Sequence, residues 1–435
     1  MFTPDVKEGF VNFIFRSIIP PFEPLRKEQL CDKIPANLQM LFVLFTKREV
    51  SSILKKIRPF VKEFFERADI FLLVVCLICS AISLYGISKA TNTMAAGGVA
   101  INPTKCLIVQ TISIFIGIGA FVLFTVIDAD ILGQQWRWLV IVNILLLVAL
   151  VIFGSEDDTG NKSWIRFAGI GIQPSEVIKI LYVIINARHI TYLKEYKDLS
   201  SLNSVVQLAG HFALVFVAIV FVSSDLGSAS IILCIFLVMF FAAGVKLYWF
   251  ALGGAALAAV IPILWTKFLK DYQRQRLLAP YDDTIDPDGW GITWQTTQSK
   301  LSLKYGRFTG AAADHQSNVF TGKHTDFIFA CIGEHLGMLG GLLVFLLLLI
   351  IIIRCFKTGV QASRTYDMLI CFGVGSALAF QTFINIGMCI GITPVIGITL
   401  PFFSYGGSSM VTLFGAVGLV SGVRYKPKPT LFSLG

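Results

Sequence analysis

Long apolar stretches alternate with short polar connections along the chain, and this pattern predicts membrane-spanning helices. A helix of about 20 apolar residues crosses the roughly 30 Å hydrocarbon core of a bilayer. We therefore predict an all-α, polytopic membrane protein with about ten transmembrane helices and a long loop between the seventh and the eighth. The predicted spans lie near residues 70–88, 107–127, 138–154, 175–187, 207–223, 227–244, 247–266, 325–353, 368–389 and 404–423.

Two of these stretches depart from a simple crossing. The fourth is too short to cross alone, so we expect it to tilt or to continue from a partly re-entrant segment before it. Residues 368–423 contain no Asp, Glu, Lys or Arg, and residues 387–409 are dense in Gly, Pro and hydroxyl groups. This composition disfavours a regular helix and predicts irregular backbone that other helices cover. Free amides there, and at the start of the tenth helix, would suit an anionic head group.

The amino-terminal residues are organised differently. Residues 1–68 hold no predicted span, and between Ile53 and Phe65 the apolar positions fall on one helical face, which predicts an amphipathic helix in the membrane interface. Whether this region only orients the chain or binds a partner stays open. The expected organisation is a cytoplasmic region 1–68, a membrane domain 69–425 with a loop at 267–324, and a cytoplasmic tail 426–435.

Composition excludes a soluble protein of this length. Hydrophobic residues make up 55% of the chain and charged residues 14%, with a mean hydropathy of +0.74. The amino-terminal 70 residues contribute +3 to the formal charge of +9, and beside a membrane such a basic stretch suits anionic lipids rather than nucleic acid. The nine cysteines are scattered and odd in number, so we interpret Cys76 and Cys79, which are separated by two residues in an apolar run, as packing residues.

The distribution of basic residues predicts the orientation. An even number of spans places both termini on one side, together with basic groups near residues 188–197, 354–364 and 424–428. The positive-inside rule makes that side cytoplasmic and the loop at 267–324 external.

Candidate chemistry concentrates in this long loop. It begins with a basic stretch at residues 270–276, continues through Asp286-Pro287-Asp288-Gly289 and ends at Lys323-His324-Thr325-Asp326. Cations can hold a phosphate while a carboxylate takes a proton from a hydroxyl group. Taken alone, Asp-Pro-x-Gly is also an ordinary turn sequence, so both interpretations stay open at this point.

Polar side chains within the apolar stretches add a second signal. Ionisable residues at membrane depth are costly and usually line a cavity or a site. The alternative for each is an interhelical hydrogen bond that only fixes packing. The candidates for a structural or cavity-lining role are Glu176, Lys179, Asp225, Glu334, Gln381 and Asn385.

Five motifs in a fixed order give the chain a specific resemblance. They are Gln173-Pro174-Ser175-Glu176, Ser224-Asp225-Leu226-Gly227, Asp286-Pro287-x-Gly289, the segment His324–Ala330 with Glu334-x-Leu336-Gly337, and the Pro394–Ser408 segment. From about residue 70 to 425 the chain resembles the shape, elongation, division and sporulation family of peptidoglycan glycosyltransferases.

This resemblance implies a ten-span enzyme of the bacterial cytoplasmic membrane that polymerises lipid II on the outer side, beside a class B penicillin-binding protein. It assigns the required loop carboxylate to Asp286, as catalytic base. No cofactor is fixed, although a divalent cation, magnesium or manganese, would help offset pyrophosphate charge; its ligands are unknown. The candidate substrate-binding residues are Lys270, Arg274, Arg276, Gln298, Lys300, Lys323, His324, Asp326, Ser404, Tyr405 and Ser408.

Two departures from the family pattern leave alternatives open. Residues 301–310 stand where many relatives have a glycine-rich run, and Thr321-Gly322-Lys323 stands where relatives often carry Pro-Glu-Arg. A flippase or transporter for lipid-linked precursors, or a non-catalytic scaffold for a penicillin-binding protein, are therefore the alternative functions. The motifs do not separate elongation, division and sporulation, although residues 271–276 favour the elongation type.

Overall fold

The structure is a computed structural model, and it describes Pro59 and residues 61–155, 163–167, 170–223, 225–312, 315 and 317–425. The chain divides into two compact units, Met1–Ala68 and Asp69–Gly435. In the first unit residues 61–67 are helical. Most of the predicted amphipathic helix, and the predicted tail at 426–435, lie outside the described residues.

Helices dominate the second unit and follow the predicted apolar stretches. Among the described residues, eight helices are long and apolar enough to cross a membrane, and Leu226–Ala242 is a shorter apolar helix. The prediction of a helical, multi-pass membrane protein is confirmed, whereas the number of crossings stays a prediction. The helices are α1 (Ile70–Ala96), α2 (Pro103–Val126), α3 (Ala129–Gln134), α4 (Trp136–Phe153), α5 (Pro174–Tyr196), α6 (Leu202–Ser223), α7 (Leu226–Ala242), α8 (Leu247–Ile263, continued by a π-helical turn Leu264–Phe268), α9 (Asp271–Leu278), α10 (Trp294–Gly306), α11 (Ile328–Val360), α12 (Thr365–Ile390) and α13 (Gly407–Tyr425).

A small antiparallel sheet precedes α5, where a partly re-entrant segment was expected. Its strands are β1 (Gly154–Ser155), β2 (Trp164–Phe167) and β3 (Ile170–Ile172), in the order β1-β2-β3. In the β2–β3 pairing Arg166 lies opposite Gly171. The sheet delivers the chain directly to Pro174 at the start of α5, so the 23-residue α5 is longer than the fourth predicted span.

The protein core lies at α12 and α13. In each of these helices 67% of the 18-residue apolar stretch is buried inside the protein, whereas none of the corresponding stretch of α8 is buried. Small residues allow α13 to approach α2 closely. A methyl group on Gly418 would lie 2.7 Å from the Phe121 carbonyl oxygen, and one on Gly422 would lie 3.0 Å from the carbonyl oxygens of Phe124 and Thr125. Glycines four residues apart are a common device for close helix packing in membranes.

A break in α11 connects the membrane helices to the long loop. At Gly337 the backbone has φ +68° and ψ −167°, which interrupts the helical hydrogen bonding. The freed Met338 and Leu339 amides donate to the carbonyl oxygens of Arg307 (2.8 Å) and Phe308 (3.2 Å). The end of the loop helix α10 is therefore anchored inside α11, and the loop is held against the helical core rather than left as an open connection.

The opposite end of α11 is fixed by a buried carboxylate. Asp69, which is 1% exposed, caps α1 and receives hydrogen bonds from Arg354 Nε (2.7 Å) and Nη2 (3.1 Å), while Arg424 Nη1 lies 3.2 Å away. α11 continues past this cluster to Val360, beyond its predicted end near residue 353. The eight described cysteines are free thiols, and Cys76 and Cys79 are fully buried in α1, in agreement with a packing role.

Candidate active site

Two cavities adjoin under the long loop. One, of about 460 Å³, is lined by Asp286 and other residues of the loop. The other, of about 600 Å³, extends toward the Asp225 end of α7. Arg276 and Val395 line both. The cavity of the Asp286 carboxylate and the cavity of the motif residues at the helix ends are thus neighbours that share two lining residues.

The Asp286 carboxylate is held by four hydrogen bonds from the start of α10. Its Oδ2 atom accepts from Thr293 Oγ1 (2.7 Å), the Thr293 amide (2.9 Å) and the Gly291 amide (3.0 Å), and that last amide also reaches Oδ1 at 3.2 Å. The hydroxyl bond from Thr293, followed by the Thr293 amide, lowers the pKa of Asp286. The carboxylate is therefore kept ionised in a fixed orientation.

Only some of the predicted loop cations reach this region. Arg276 and Lys300 line the Asp286 cavity. Arg274 instead lies 3.4 Å from Asp271 and donates to the Thr266 carbonyl oxygen, and Lys270 is exposed at the start of α9. The structure thus places Arg276 and Lys300 beside the carboxylate and leaves Lys270 and Arg274 outside both cavities.

Lys323 occupies a different environment from the one expected for a substrate-binding cation. Its side chain is fully buried, and Nζ lies 2.7 Å from Glu334 Oε2 and 2.8 Å from the Asn318 carbonyl oxygen. His315 Nε2 lies 3.1 Å from the second oxygen of Glu334. Lys323 therefore neutralises a buried carboxylate of α11 and lines neither cavity.

The second cavity collects residues from four of the five motifs. His324, Asp326 and Tyr405 line it, and the rings of His324 and Tyr405 are tilted against each other with centroids 5.4 Å apart. Burial lowers the pKa of His324 to about 4, so its imidazole is neutral at physiological pH. This cavity can accept hydrogen-bonding groups without placing a histidine cation against them.

Asp225 lies at the far end of the same cavity. It caps α7 by accepting from the Ser228 amide (2.8 Å), and its Oδ2 accepts from Ser228 Oγ (2.7 Å) and Gln173 Nε2 (3.2 Å). The backbone N–H of Gln173 donates to Ser408 Oγ (3.0 Å). Ser408 thereby joins the start of α13 to the start of α5 and Asp225.

Behind this group lies a buried ion pair. Lys179 Nζ is 2.8 Å from Glu176 Oε1, and both side chains are at most 5% exposed. Ser409 Oγ donates to the other oxygen of Glu176 at 3.4 Å. The pair lies near the start of α5. Through Ser409 it adds a second contact between α5 and the start of α13, next to the Gln173–Ser408 hydrogen bond.

Other predicted residues hold irregular backbone in place. Ser404 Oγ donates to the Thr325 carbonyl oxygen (2.6 Å) and accepts from the Leu400 amide (2.7 Å). Asn385 Nδ2 donates to the carbonyl oxygens of Asp326 and Ile398, both at 2.7 Å. Gln298 and Gln381 are buried in α10 and α12 and line neither cavity.

Three residues at the site were not predicted. Thr293 follows Asp286 at a spacing that belongs to no motif quoted above. Arg166 lines the second cavity from β2, and Gln110 on α2 donates to the Ser404 carbonyl oxygen while accepting from the Gly406 amide. Gln110 carried a usable signal, because it is an isolated polar residue within an apolar span.

The site residues do not provide an ordinary metal centre. In the described part of the chain, no three His, Cys, Asp or Glu side chains come together as a group that could hold a metal ion. A metal site made entirely of protein ligands needs such a group, whereas a magnesium ion can be held by one or two carboxylates together with substrate phosphates. The expected magnesium or manganese ion enters no step of the reaction derived below.

Comparisons with known proteins agree on one family. Residues 67–428 match the family model described as cell cycle protein, FtsW/RodA/SpoVE. The peptidoglycan glycosyltransferase MrdB of Escherichia coli (strain K12) is 33% identical over 300 residues, covering 67% of this chain and 78% of that protein. The stage V sporulation protein E of Bacillus subtilis (strain 168) is 31% identical over 326 residues, covering 72% of this chain and 86% of that protein.

Solved structures agree as well. A protein from a peptidoglycan synthase complex, studied for its coordination of polymerization and crosslinking, is 25% identical, with a TM-score of 0.68 over 82% of this chain and 97% of that one. The rod shape determining protein RodA of Thermus thermophilus shares the fold at 22% identity, with a TM-score of 0.59 over 82% of this chain and 96% of that one. The chain belongs to the FtsW/RodA/SpoVE family.

Proposed function

We propose that this protein is a peptidoglycan glycosyltransferase that polymerises lipid II into glycan strands. The observation that carries the proposal is the convergence of the Asp286 carboxylate with Arg276 and Lys300 on one cavity, in a chain whose relatives are named peptidoglycan glycosyltransferases. A lipid-linked pyrophosphate sugar supplies both groups that such a cavity suits, namely a hydroxyl group to deprotonate and a phosphate charge to offset.

Asp286 is the base in this proposal. The acceptor hydroxyl attacks C1 of the donor sugar, the bond from C1 to the pyrophosphate oxygen breaks, and the hydroxyl proton passes to Asp286. Because hydrogen bonds lower the pKa of Asp286, the carboxylate is a weak base. Proton transfer is then late, when the new bond to C1 has already made the hydroxyl group acidic.

Arg276 and Lys300 offset the charge on the leaving group. Both line the Asp286 cavity. Arg276 also lines the second cavity, so it can contact a phosphate group in either cavity. Pre-positioned cations stabilise charge that develops in the transition state. They replace Lys270, Arg274 and Lys323 of the sequence hypothesis in this role.

The reaction takes place on the outer side of the bacterial cytoplasmic membrane, with both termini in the cytoplasm. Support comes from the basic residues at the α11 and α13 ends, Arg354 and Arg424, which lie at the end of the helices opposite the loop. The partner is a class B penicillin-binding protein that crosslinks the strands. The related structure from a synthase complex that coordinates polymerization and crosslinking supports this assignment.

Polymerisation of lipid II by the purified protein, with and without its class B penicillin-binding protein, tests the proposal. We expect polymer from the wild type and none from a folded Asp286→Ala variant, whereas Asp271→Ala in the same loop retains the wild-type rate, because Asp271 lines neither cavity. Wild-type protein that makes no polymer with a verified partner would overturn the proposal. In that case movement of lipid II between vesicle leaflets would be measured next.

A further inference from the structure

Thr293 occupies an unusual position for a threonine at the start of a helix. It is the N-cap of α10, and a threonine there ordinarily accepts a hydrogen bond from an amide of the first turn. Its side chain makes no such capping bond, and Oγ1 instead donates to Asp286 Oδ2 at 2.7 Å. The hydroxyl hydrogen is therefore directed at the carboxylate, while Oγ1 accepts no capping bond.

The four bonds divide the Asp286 carboxylate into two unequal oxygens. Oδ2 accepts three hydrogen bonds, from Thr293 Oγ1, the Thr293 amide and the Gly291 amide, whereas Oδ1 receives the longer 3.2 Å branch from Gly291. The Trp290 amide makes the smallest contribution to the lowered pKa of the carboxyl group. A carboxylate oxygen offers about two lone pairs. Oδ2 is thus fully engaged, and Oδ1 is the atom with capacity for another hydrogen bond.

Thr293 also connects this loop carboxylate to the helical core. Its carbonyl oxygen accepts the first helical bond of α10, from Thr297, and further along α10 Ser299 Oγ donates to the Cys389 carbonyl oxygen on α12 at 2.8 Å. The Asp286 turn itself is closed by the Gly289 amide, which donates to the Asp286 carbonyl oxygen at 3.1 Å. α10 therefore connects the Asp286 carboxylate to α12 and fixes its orientation relative to that helix.

We propose that Thr293 is a positioning residue, whose hydroxyl group fixes Asp286 Oδ2 so that Oδ1 faces the acceptor hydroxyl and takes its proton. This inference rests on the proposed function. In the reaction, the acceptor oxygen forms the bond to C1, the pyrophosphate leaves with the electron pair of the broken C1–O bond, and the proton ends on Oδ1. Thr293 itself neither gains nor loses a proton.

The neighbouring Asp282 provides a matched control. Thr284 Oγ1 donates to Asp282 Oδ1 at 2.6 Å and the Thr284 amide donates to the same atom at 3.0 Å, so the same two groups of a threonine hold both carboxylates. Asp282 lines the same cavity but is bonded only by a residue two positions away, in a local turn. Thr284→Val therefore removes an equivalent hydrogen bond without loosening a connection to the core.

The test compares Thr293→Val, Thr293→Ser and Thr284→Val in lipid II polymerisation with the partner present, across pH. For Thr293→Val we expect kcat to fall by about 10- to 100-fold with KM within about twofold, because the defect lies in proton transfer and not in binding. The acid limb of its pH–rate profile moves to higher pH, because the substitution removes the Thr293 hydroxyl bond, the main cause of the lowered Asp286 pKa. Thr293→Ser restores the wild-type limb. Thr284→Val leaves the plateau rate unchanged and moves the acid limb less than Thr293→Val does, because the Thr284 hydroxyl group holds Asp282 and not the proposed base.

Other outcomes separate this inference from the proposed function. Polymer from wild type together with equal behaviour of Thr293→Val and Thr284→Val would overturn the role of Thr293 and leave the enzyme assignment intact. A Thr293→Ser variant as slow as Thr293→Val would also overturn it, because the methyl group and not the hydroxyl would then matter. Thermal unfolding of each variant identifies any loss of fold.

Other charged groups line the same cavity and so contribute to the acid limb of the pH–rate profile. They are Arg276, Asp282, Asp283, Asp288 and Lys300.

Discussion

The buried pair of Lys323 and Glu334 gives the strongest stability prediction. Their side chains are 0% and 1% exposed, and their charged atoms are 2.7 Å apart. Removing one member of a buried ion pair leaves the other charge without its partner, which typically costs about 3–5 kcal/mol. His315, at 3.1 Å from the same carboxylate, keeps one contact with Glu334 in Lys323→Met. We therefore expect a loss near 3 kcal/mol for Lys323→Met.

Substitution of both residues should behave differently from either single change. Buried ion pairs replaced by apolar residues of similar volume are often neutral in stability. Lys323→Met with Glu334→Leu should thus recover most of the loss, giving a coupling free energy of at least about 2 kcal/mol between the two positions. The free energy of unfolding of the purified protein in mixed micelles, titrated with a denaturing detergent, measures all four members of the cycle.

An exposed pair in the same loop serves as the control. Arg274 lies 3.4 Å from Asp271, whose side chain is 90% exposed, so Asp271→Asn should change the unfolding free energy by less than about 0.5 kcal/mol. The reasoning fails if Lys323→Met is as mild as this control. It fails equally if the double variant loses the sum of the two single losses, because the charges would then not be coupled.

Three further predictions follow from the geometry. Gly337→Ala should cost at least about 3 kcal/mol of unfolding free energy, because its methyl group would lie 2.4 Å from the Phe308 carbonyl at a positive φ, whereas Gly253→Ala, with open space around it, should stay within about 1 kcal/mol of wild type. Arg276→Gln should lower the polymerisation rate about tenfold or more and Arg274→Gln should not, as a direct rate comparison would show. The lowered pKa of His324, about 4, means that protons bind the unfolded chain first as pH falls from 6.5 to 4, so stability should decline over that range and decline less steeply in His324→Gln, measured by thermal unfolding at each pH.

The membrane helices were predictable because their signal is physical and local. Each apolar stretch is long enough to match the bilayer, and each described helix from α1 to α13 that could cross lies on a predicted stretch. The ends were less predictable. α11 runs on to Val360, past its predicted end, and its Arg354 pairs with the buried Asp69 at the start of α1, a distant partner that no local pattern records.

The loop illustrates the opposite case. Composition identified residues 267–324 as the place for chemistry, and the Asp286 motif located the carboxylate, but the helices α9 and α10 within the loop were not predicted. α10 depends on tertiary contacts, such as the Ser299 bond to α12 and the anchoring of Arg307 inside the broken α11. Short helices have little stability of their own in water, so their presence follows from packing rather than from sequence propensity.

Charge type alone could not assign the cations. Lys323 and Lys300 are equally basic in the sequence, yet one is fully buried against Glu334 and the other lines the Asp286 cavity. The sequence did contain the reason, because a glutamate within an apolar span requires a countercharge. What it did not contain was which of several nearby cations would supply that charge.

The polar residues of the last motif divide into two kinds, and this division explains why a motif is not the same as a catalytic site. Irregular backbone at membrane depth must have its amides and carbonyl groups satisfied by protein. Asn385 and Ser404 do this for the segment before α13, and Gln110 does it from α2. Tyr405, one residue beyond Ser404, faces the cavity instead. Loss of Asn385 or Ser404 would therefore impair activity by displacing the cavity wall, and a lowered rate in such a variant would not by itself identify a substrate contact.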